Sequence, residues 1–458
     1  MTTDSKVEDL EMSQLPDFKS LILWTKFTLL HPQILSSYRR LKRNERLSPD
    51  ELAALNWQKR QCLLRFAYEN VPYYRAKYDA AGLNPLDIRT PEQWESVPVL
   101  EKAELVKHLE DLKTRGVKPD RLRLSTTGGS TGVPVIVYFD KKFAMEPIRW
   151  RMLSWWGVGP GEDAAFAWRD FGWSALEKLR RNVLFWPTRR IYLDASLVTK
   201  ASLDAFVRQY QAVRPSLLQG YVGAIESLAD FVIESGASFP PPKAVWLTAA
   251  PVSKTQRARM QAAFHAPVYD QYGCGEIYQI AAQCAHSENL HIFYDSVCVE
   301  FLDGNGRSVQ TGERGLIALT DLDNYVFPLI RYLNGDEGSA VAGQCACGVS
   351  LPLMGPIKGR DTDHLHLPQG GIVVGDFVTT IFDNDPDCIK AFQVYQKKDL
   401  GIDVRVVLNP AVPDARERVE RVVAKMRDKS LGLVEVRPVY MDEIVSDRGK
   451  TRYVVREK

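Results

Sequence analysis

A hydroxyl- and glycine-rich run in the first third of the chain has the composition of a phosphate-binding loop. It reads Ser125-Thr126-Thr127-Gly128-Gly129-Ser130-Thr131-Gly132-Val133-Pro134. The glycines allow the backbone to approach a ligand closely and the hydroxyls add hydrogen-bond donors, so the run can surround phosphate oxygens. No Lys-Ser or Lys-Thr pair follows the glycines, which excludes a Walker-type loop. A mobile hairpin turn is the alternative.

Two later segments carry acids of the type that a nucleotide requires. Gln271-Tyr272-Gly273-Cys274-Gly275-Glu276 follows a predicted strand and can set a ring against a base and an acid near a metal-bound phosphate. A turn with an exposed acid is the alternative. Arg331-Tyr332-Leu333-Asn334-Gly335-Asp336 ends in a carboxylate that can accept two hydrogen bonds from a ribose diol. Arg331 either faces the same site or pairs with an acid in the core.

Charged residues near the C-terminus add further candidates. Gly359-Arg360-Asp361-Thr362-Asp363 combines an arginine with two acids, and Asp447-Arg448-Gly449-Lys450-Thr451-Arg452 contains a lysine. A lysine on a mobile lid can neutralise charge that develops on a phosphate during a reaction. Solvated loop charges and a basic tail are the alternatives.

Four residues have the types that a tetrahedral zinc site requires. They are Cys284, His291, Cys345 and Cys347. His286 is the substitute ligand if His291 points elsewhere, and unligated thiols are the alternative to a metal site. A closed site of this kind would be structural, joining the loop near Glu276 to the loop after Asp336.

The composition predicts a globular protein without nucleic-acid-binding character. The 458 residues give room for two or three domains, and 59 basic against 57 acidic side chains leave a net charge of only +2, so no nucleic-acid partner is expected. Seven cysteines and an N-terminus without a signal-peptide pattern predict a cytoplasmic protein with reduced thiols. The segment from Phe18 to Leu35 is too short and interrupted to span a bilayer; we expect it to pack on the protein body rather than lie on a membrane.

Hydrophobic periodicity predicts an α/β core followed by a small α+β lid. Predicted helices cover 48–70, 73–81, 101–112, 202–213 and 224–235, and predicted strands cover 135–139, 217–221 and 244–248. This alternation indicates a mostly parallel sheet, with ligands beyond the carboxyl ends of its strands. The lid has predicted strands at 392–396, 404–408 and 434–440 and a predicted helix at 414–429. The tryptophans from Trp150 to Trp173 are expected in the core rather than around a ligand.

In their order along the chain, these segments resemble the phenylacetate-coenzyme A ligase-like branch of the adenylate-forming superfamily, which includes CapK-like proteins of capsular polysaccharide biosynthesis. Val71-Pro72-Tyr73-Tyr74 and Pro98-Val99-Leu100 precede the loop as they do in that branch. The resemblance extends from about Val71 to the C-terminus. The chain departs from the pattern at Val133, where many relatives carry lysine.

The resemblance implies an ATP-dependent, AMP-forming ligase. It implies an N-terminal helical extension at 1–70, an adenylate-forming core domain at 71–363 and a C-terminal lid domain at 364–458. A carboxylic acid would react with ATP to give an acyl adenylate and pyrophosphate. The acyl group would then pass to coenzyme A, or to an amine or other nucleophile as in natural-product and polysaccharide biosynthesis. A non-catalytic nucleotide-binding protein of the same fold is the alternative, and a homodimer is compatible with either.

The resemblance also implies roles for the candidate residues. Residues 125–132 would bind the ATP phosphates, Tyr272 would lie beside the adenine, and Asp336 and Arg360 would contact the nucleotide. Glu276 would hold Mg²⁺, Lys450 and Arg331 would act in catalysis, and Asp363 would be the hinge between the domains. The four Cys and His residues would hold a structural Zn²⁺, as at similar positions in this branch.

Overall fold

The computed structural model covers most of the chain. It describes residues 18–127, 135–142, 145–169, 175–250, 252–357, 365–368, 371–373, 378, 381–382, 384–444 and 454–457. Several predicted site residues lie outside these ranges, and their roles stay predictions. They are Gly128, Gly129, Ser130, Thr131, Gly132, Arg360, Asp363 and Lys450.

Helices cover much of the first half of the chain and recur in the C-terminal part. They are α1 (Phe18–Leu30), α2 (Pro32–Asn44), α3 (Pro49–Asn70), α4 (Pro72–Ala80), α5 (Lys102–Lys107), α6 (Glu146–Trp155), α7 (Ala175–Phe185), α8 (Lys200–Val213), α9 (Val222–Ser235), α10 (Lys254–Phe264) and α11 (Ala415–Lys429). The predicted helices are confirmed, but α5 is shorter than the predicted 101–112. It ends because the chain turns after His108, which lets the carbonyl of Asp111 accept a hydrogen bond from Tyr73 N at 3.1 Å.

The strands of the described residues form five sheets. They are β1 (Leu122–Thr127), β2 (Val135–Asp140), β3 (Ala164–Trp168), β4 (Arg190–Asp194), β5 (Leu217–Tyr221), β6 (Ala244–Thr248), β7 (Val268–Tyr272), β8 (Ala281–Gln283), β9 (Leu290–Ile292), β10 (Val297–Leu302), β11 (Gly315–Asp321), β12 (Tyr332–Gly338), β13 (Ala340–Val341), β14 (Leu353–Met354), β15 (Leu365–His366), β16 (Ile372–Val373), β17 (Ile389–Gln396), β18 (Ile402–Leu408), β19 (Val436–Tyr440) and β20 (Val454–Arg456).

The largest sheet has nine strands in the order β13-β14-β9-β8-β7-β6-β5-β3-β4. Strands β3 to β7 pair in parallel, and β7, β8, β9, β14 and β13 continue in antiparallel pairs. Strands β5 and β6 are buried along their whole length, as expected for parallel strands covered on both faces. The mixed α/β fold is therefore confirmed, with the parallel part where the alternation of helices and strands predicted it.

Helix α3 packs as part of the main body. Its buried residues Leu52, Leu63 and Leu64 belong to the same hydrophobic cluster as Ile317 and Leu319 of β11. Ser48 begins the helix with a capping box, in which its Oγ accepts a hydrogen bond from Glu51 N at 3.2 Å and Glu51 Oε2 accepts one from Ser48 N at 2.7 Å. The sequence-based domain limits at 70 and 363 stay predictions.

Replacing Ser48 with Ala will destabilise the protein by about 1 kcal/mol, because the first turn of α3 loses the acceptor for Glu51 N. The midpoint of urea-induced unfolding measures this change. Ser36→Ala is the matched control, since Ser36 is exposed on α2 and its hydroxyl donates only to Gln33 O within its own helix. Equal midpoints for the two variants would contradict the capping role.

Helix α4 fixes the segment that leads into β12. The hydroxyl of Tyr74, which is buried, donates to Pro328 O and accepts from Ile330 N, both at 3.0 Å. Leu100 then pairs with Tyr332 and accepts a hydrogen bond from Leu333 N at 3.0 Å. Helix α4 and Leu100 both precede the hydroxyl- and glycine-rich loop in sequence. They therefore position β12, the strand that carries Asp336.

Helix α1 packs on the protein body, as expected. Its Leu23 and Phe27 are buried in a cluster that includes Trp150, whose ring lies 4.9 Å from that of Phe27. Within the described residues, no helix combines the length and apolar character that crossing a membrane requires. Trp150 and Trp156 are buried, which confirms the core prediction for them, whereas Trp173 lies outside the described residues.

The C-terminal part has its own hydrophobic cluster. Strands β17 and β18 pair in antiparallel fashion, β19 and β20 flank them, and α11 packs against β19. The predicted strands and helix of the lid are confirmed. Lys429 at the end of α11 forms an ion pair with Asp194 of β4 at 2.8 Å, so this part of the chain contacts the edge of the large sheet.

Candidate active site

The hydroxyl-rich loop begins at the end of a hairpin. Strands β1 and β2 pair in antiparallel fashion up to Thr127 and Val135, so the run from Gly128 to Pro134 connects them. Ser125 Oγ donates to Gly275 O at 3.1 Å and accepts from the hydroxyl of Tyr278 at 2.7 Å. Ser125 therefore joins the start of this loop to the segment that carries Glu276.

A tight turn after β7 places Glu276. At Gly273 a Cβ would lie 2.0 Å from Tyr278 O, so only glycine fits this close approach. The Glu276 carboxylate is 6% exposed, and its Oε1 accepts a hydrogen bond from the hydroxyl of Tyr332 at 2.9 Å. A buried acid is thus held in one orientation by the first residue of β12.

Tyr272, Asn334 and Asp336 form a closed hydrogen-bonded triangle. The hydroxyl of Tyr272 donates to Asp336 Oδ2 at 2.9 Å, and Asn334 Nδ2 donates both to that hydroxyl, at 2.7 Å, and to Asp336 Oδ2, at 2.9 Å. Gly335 lies between the two β12 residues with φ +86°, a conformation that favours glycine. The carboxylate of Asp336 is only partly buried, so it is fixed and still open to a ligand.

Two tyrosine hydroxyls hold the two acids, and both stay protonated. Burial, followed by the charge of Asp336, raises the pKa of Tyr272 well above its usual value. Burial, followed by the charge of Glu276, does the same for Tyr332. Each hydroxyl therefore remains a hydrogen-bond donor to its carboxylate at neutral pH.

The predicted metal ligands come together. Cys284, His291, Cys345 and Cys347 offer ligand atoms that all lie within 4.8 Å of one another. Cys284 Sγ is 3.5 Å from Cys345 Sγ, and Cys347 Sγ is 3.4 Å from His291 Nε2. The ring nitrogen Nδ1 of His291 lies 3.2 Å from Leu351 O, so it donates there and leaves Nε2 facing the thiols.

The chain is similar to acyl-activating ligases over most of its length. "Phenylacetate-coenzyme A ligase" of Thermus thermophilus is 24% identical over 371 residues, which cover 78% of this chain and 81% of the relative. The Escherichia coli protein of the same name is 26% identical over 338 residues, covering 70% and 74%. These similarities support the resemblance to the phenylacetate-coenzyme A ligase-like branch of the adenylate-forming superfamily. No model of a protein family matches the chain.

Solved structures support the fold of this branch. A 2-hydroxyisobutyryl-CoA ligase in complex with 2-HIB-AMP and CoA aligns with a TM-score of 0.63 at 20% identity, covering 91% of this chain and 92% of that chain. The same ligase in complex with R3-HIB-AMP aligns with a TM-score of 0.61. At this identity the alignment establishes the adenylate-forming fold for this chain.

Arg331 makes the core contacts that the sequence left open as an alternative, and its catalytic role stays a prediction. Its side chain is 1% exposed. Its Nε donates to Glu300 of β10 at 3.1 Å, and its Nη1 donates to Glu95 O and Val97 O. Its Nη2 donates to Gly306 O at 2.9 Å, so every guanidinium nitrogen is engaged away from Glu276.

Asn334 and Tyr332 are site residues that the sequence analysis did not select. Both lie in the same segment as Asp336. Residues 332, 334 and 336 are separated by steps of two, which is the period of one face of a strand, and this spacing is the signal that could have identified them. Ser125, Tyr272, Glu276 and Asp336 lie together in the structure, whereas the candidates from Gly128 to Gly132, together with Arg360, Asp363 and Lys450, fall outside the described residues.

Proposed function

We propose that this chain is an ATP-dependent ligase that converts a carboxylic acid into an acyl adenylate and pyrophosphate and then transfers the acyl group to coenzyme A. One observation carries the proposal. Three segments that are distant in sequence meet in the structure: the start of the hydroxyl- and glycine-rich loop, the turn after β7, and β12. They contribute Ser125, Glu276 and Asp336, the residues that the branch uses around its nucleotide.

The triangle of Tyr272, Asn334 and Asp336 is suited to the nucleoside. The Asp336 carboxylate can accept both hydrogen bonds of a ribose diol, because Tyr272 and Asn334 donate to one of its oxygens only. The ring of Tyr272 is then held at the edge of the site, where it can pack against the adenine.

Glu276 is suited to Mg²⁺. Tyr332 engages one of its oxygens, and the other has no hydrogen-bond partner among the described residues. One protein carboxylate together with substrate phosphates is the usual environment of Mg²⁺ in nucleotide enzymes. When bound, the ion shields the charge of the phosphates as the acid attacks. Glu276 supplies a buried carboxylate in a fixed orientation.

Lys450 and Asp363 complete the proposal from the resemblance. Lys450 neutralises negative charge on the α-phosphate while pyrophosphate leaves, and Asp363 is the hinge about which the lid turns between adenylation and acyl transfer. Arg360 contacts the nucleotide. All three lie outside the described residues, and the loop departs from many relatives at Val133.

A structural Zn²⁺ fits the four Cys and His residues. Three thiols and one imidazole nitrogen supply the four ligands that a structural Zn²⁺ would take, and a hydrogen bond to Leu351 O orients the imidazole. Such a closed site has no open position for a substrate. It ties β8 and β9 to the segment around Cys345 and Cys347.

Replacing Asp336 with Ala will raise the KM for ATP by roughly 10- to 100-fold, because a charge-assisted pair of hydrogen bonds to the ribose is lost. Asn334→Ala will raise the KM less, by about threefold to tenfold, since the carboxylate remains but is no longer held. Steady-state kinetics at varied ATP measure both. Asp204→Asn on the exposed face of α8 is the control; a KM in Asp336→Ala equal to that of this control would contradict the ribose assignment.

Product analysis tests the acceptor. The chain is incubated with ATP, Mg²⁺, an acid panel and either coenzyme A or a simple amine, and products are identified by mass spectrometry. A thioester that forms only with coenzyme A supports the proposal. An amide formed in preference to a thioester would assign the amine acceptor instead. If none of the acids leads to AMP formation, the non-catalytic alternative is favoured.

A cytoplasmic location and a homodimer stay predictions, tested by cell fractionation and size-exclusion chromatography.

A further inference from the structure

A row of mostly aromatic residues crosses one face of the large sheet. The strand register pairs Tyr192 of β4 with Phe166 of β3, and Phe166 with Gln219 of β5. It then pairs Gln219 with Trp246 of β6, and Trp246 with Tyr269 of β7. Directly paired residues of adjacent strands point to the same face, so these five side chains form one continuous row.

This row lies close to the candidate active site. Thr248 is two residues beyond Trp246, and its Oγ1 donates to Gln271 Oε1 at 3.0 Å, next to Tyr272. Residues two apart on a strand are separated by about 6.6 Å. The row is therefore one such step deeper than the carboxyl ends of the strands, where ligands of parallel sheets bind.

An arginine side chain that has no acidic partner in the described part of the chain packs over the row. The Arg149 guanidinium of α6 lies 4.8 Å from the ring centroid of Trp246 and 5.6 Å from that of Phe166. No ion pair in the described part of the chain includes Arg149. Burial, followed by the charge of Arg190, lowers the pKa of Arg149 to about 9, while the charge of Glu146 opposes this shift.

Arg190 adds a second positive charge at the same place. It begins β4, and its guanidinium lies 3.4 Å from the ring centroid of Phe185 and 5.7 Å from that of Phe166. Burial is the main cause that lowers its pKa, while the Tyr192 hydroxyl raises it. Both arginines are half-buried, and two guanidinium groups beside the same ring are most favourable when an anion lies between or beside them.

Two buried polar atoms of the row have no hydrogen-bond partner in the described structure. They are Nε1 of Trp246, whose side chain is 4% exposed, and Oε1 of Gln219, whose side chain is 6% exposed. Such atoms are rare in native proteins, because each costs about 1–3 kcal/mol when left unpaired. A ligand that offers an acceptor to Trp246 and a donor to Gln219 would satisfy both.

We propose that the acid activated by this chain carries a second carboxylate or another anionic group, and that Arg149 and the indole N–H of Trp246 bind that group at the end remote from the reacting carboxylate. This inference rests on the proposed function. Arg190 adds attraction for the same charge, and Gln219 Oε1 accepts a hydrogen bond from a hydroxyl or amino group on the acid. The rings of Phe166 and Trp246 pack against the part of the acid between its two ends.

Matched acid pairs test the inference. Phenylacetate is compared with 1,4-phenylenediacetate, and hexanoate with adipate, by two measurements: kcat/KM for acid-dependent pyrophosphate exchange, and the shift in Tm that each acid produces without ATP. The wild type is expected to favour the diacid of a pair. Arg149→Gln will lower the ratio of diacid to monoacid kcat/KM by roughly 10- to 100-fold, and Trp246→Phe, which keeps the ring but removes the N–H, by about tenfold.

Arg208→Gln is the matched control, because Arg208 is an exposed arginine on α8 that pairs with Asp204; the ratio stays at the wild-type value. If exchange occurs but the wild type does not favour diacids, or Arg149→Gln leaves the ratio unchanged, the inference is overturned and the proposed function stands. If no acid supports exchange, the proposed function fails, and the Tm shift decides the inference alone. A diacid shift lost in Arg149→Gln supports it, and a shift that is absent or equal in both proteins overturns it. If Arg149→Gln does not fold, Trp246→Phe gives the same comparison.

Discussion

Replacing Glu276 with Gln lowers the rate of acid-dependent pyrophosphate exchange by about two to three orders of magnitude, the usual cost of removing one electrostatic stabiliser from an active site. Gln keeps an oxygen that can accept the hydrogen bond of Tyr332, so the fold around the turn is retained. What the variant loses is the negative charge that would hold Mg²⁺ against the phosphates. Initial rates at saturating ATP and acid measure the loss.

Two comparisons make this result specific. Tyr332→Phe keeps the carboxylate but releases it, and a smaller loss of about tenfold is expected because Glu276 is no longer held in one orientation. Glu417→Gln on the exposed side of α11 removes a carboxylate elsewhere and leaves the rate at the wild-type value. Exchange within twofold of wild type in Glu276→Gln would contradict the assignment of this residue to the metal-bound phosphates.

Removing zinc lowers the Tm by on the order of 5–10 °C, since a metal present at about 1,000 times its dissociation constant contributes about 4 kcal/mol to stability. The ligands connect two short strands to a loop that also packs on the N-terminal helices: Ser350 Oγ donates to Glu45 O at 2.7 Å, and the Trp155 ring lies 5.3 Å from that of His291. Metal analysis of the purified protein and thermal unfolding with and without a chelator measure the effect.

Cysteine variants distinguish the proposed zinc ligands from the other thiols. Cys347→Ser will reduce the zinc content and lower the Tm as the chelator does. Cys62→Ser is the matched control, because Cys62 is an exposed cysteine outside the cluster. Protein that contains no zinc, with a Tm insensitive to the chelator, would show that the cluster consists of free thiols.

Local sequence signals were sufficient for the elements that position the site. Ser48, Pro49 and Glu51 mark the start of α3, and the alternation of strands and helices from residue 202 to 248 predicts the parallel part of the sheet. In these places local propensity and tertiary packing favour the same structure. The residue types and the resemblance together predict Tyr272 and Asp336 as nucleotide-binding residues, and the structure brings them within one hydrogen bond of each other.

Partners between strands could not be predicted, because they depend on register. Arg331 directly precedes β12 and is adjacent to the site in sequence, but its side chain points toward Glu300 of β10, and nothing in the local sequence identifies that partner. Likewise, Arg149 belongs to no sequence motif that would predict its contact with the sheet. Its position over Trp246 follows from the packing of α6 across several strands that lie far apart in sequence.

Carboxylate-dependent exchange of labelled pyrophosphate into ATP tests the central claim most directly, because it reports acyl adenylate formation whichever acceptor follows. The assay covers aryl, amino, fatty and dicarboxylic acids, with Lys450→Ala beside the wild type. We predict exchange that requires an acid of one class and that falls by about two orders of magnitude or more in Lys450→Ala. Binding of ATP without exchange for any acid would contradict the account and assign the fold to nucleotide binding alone.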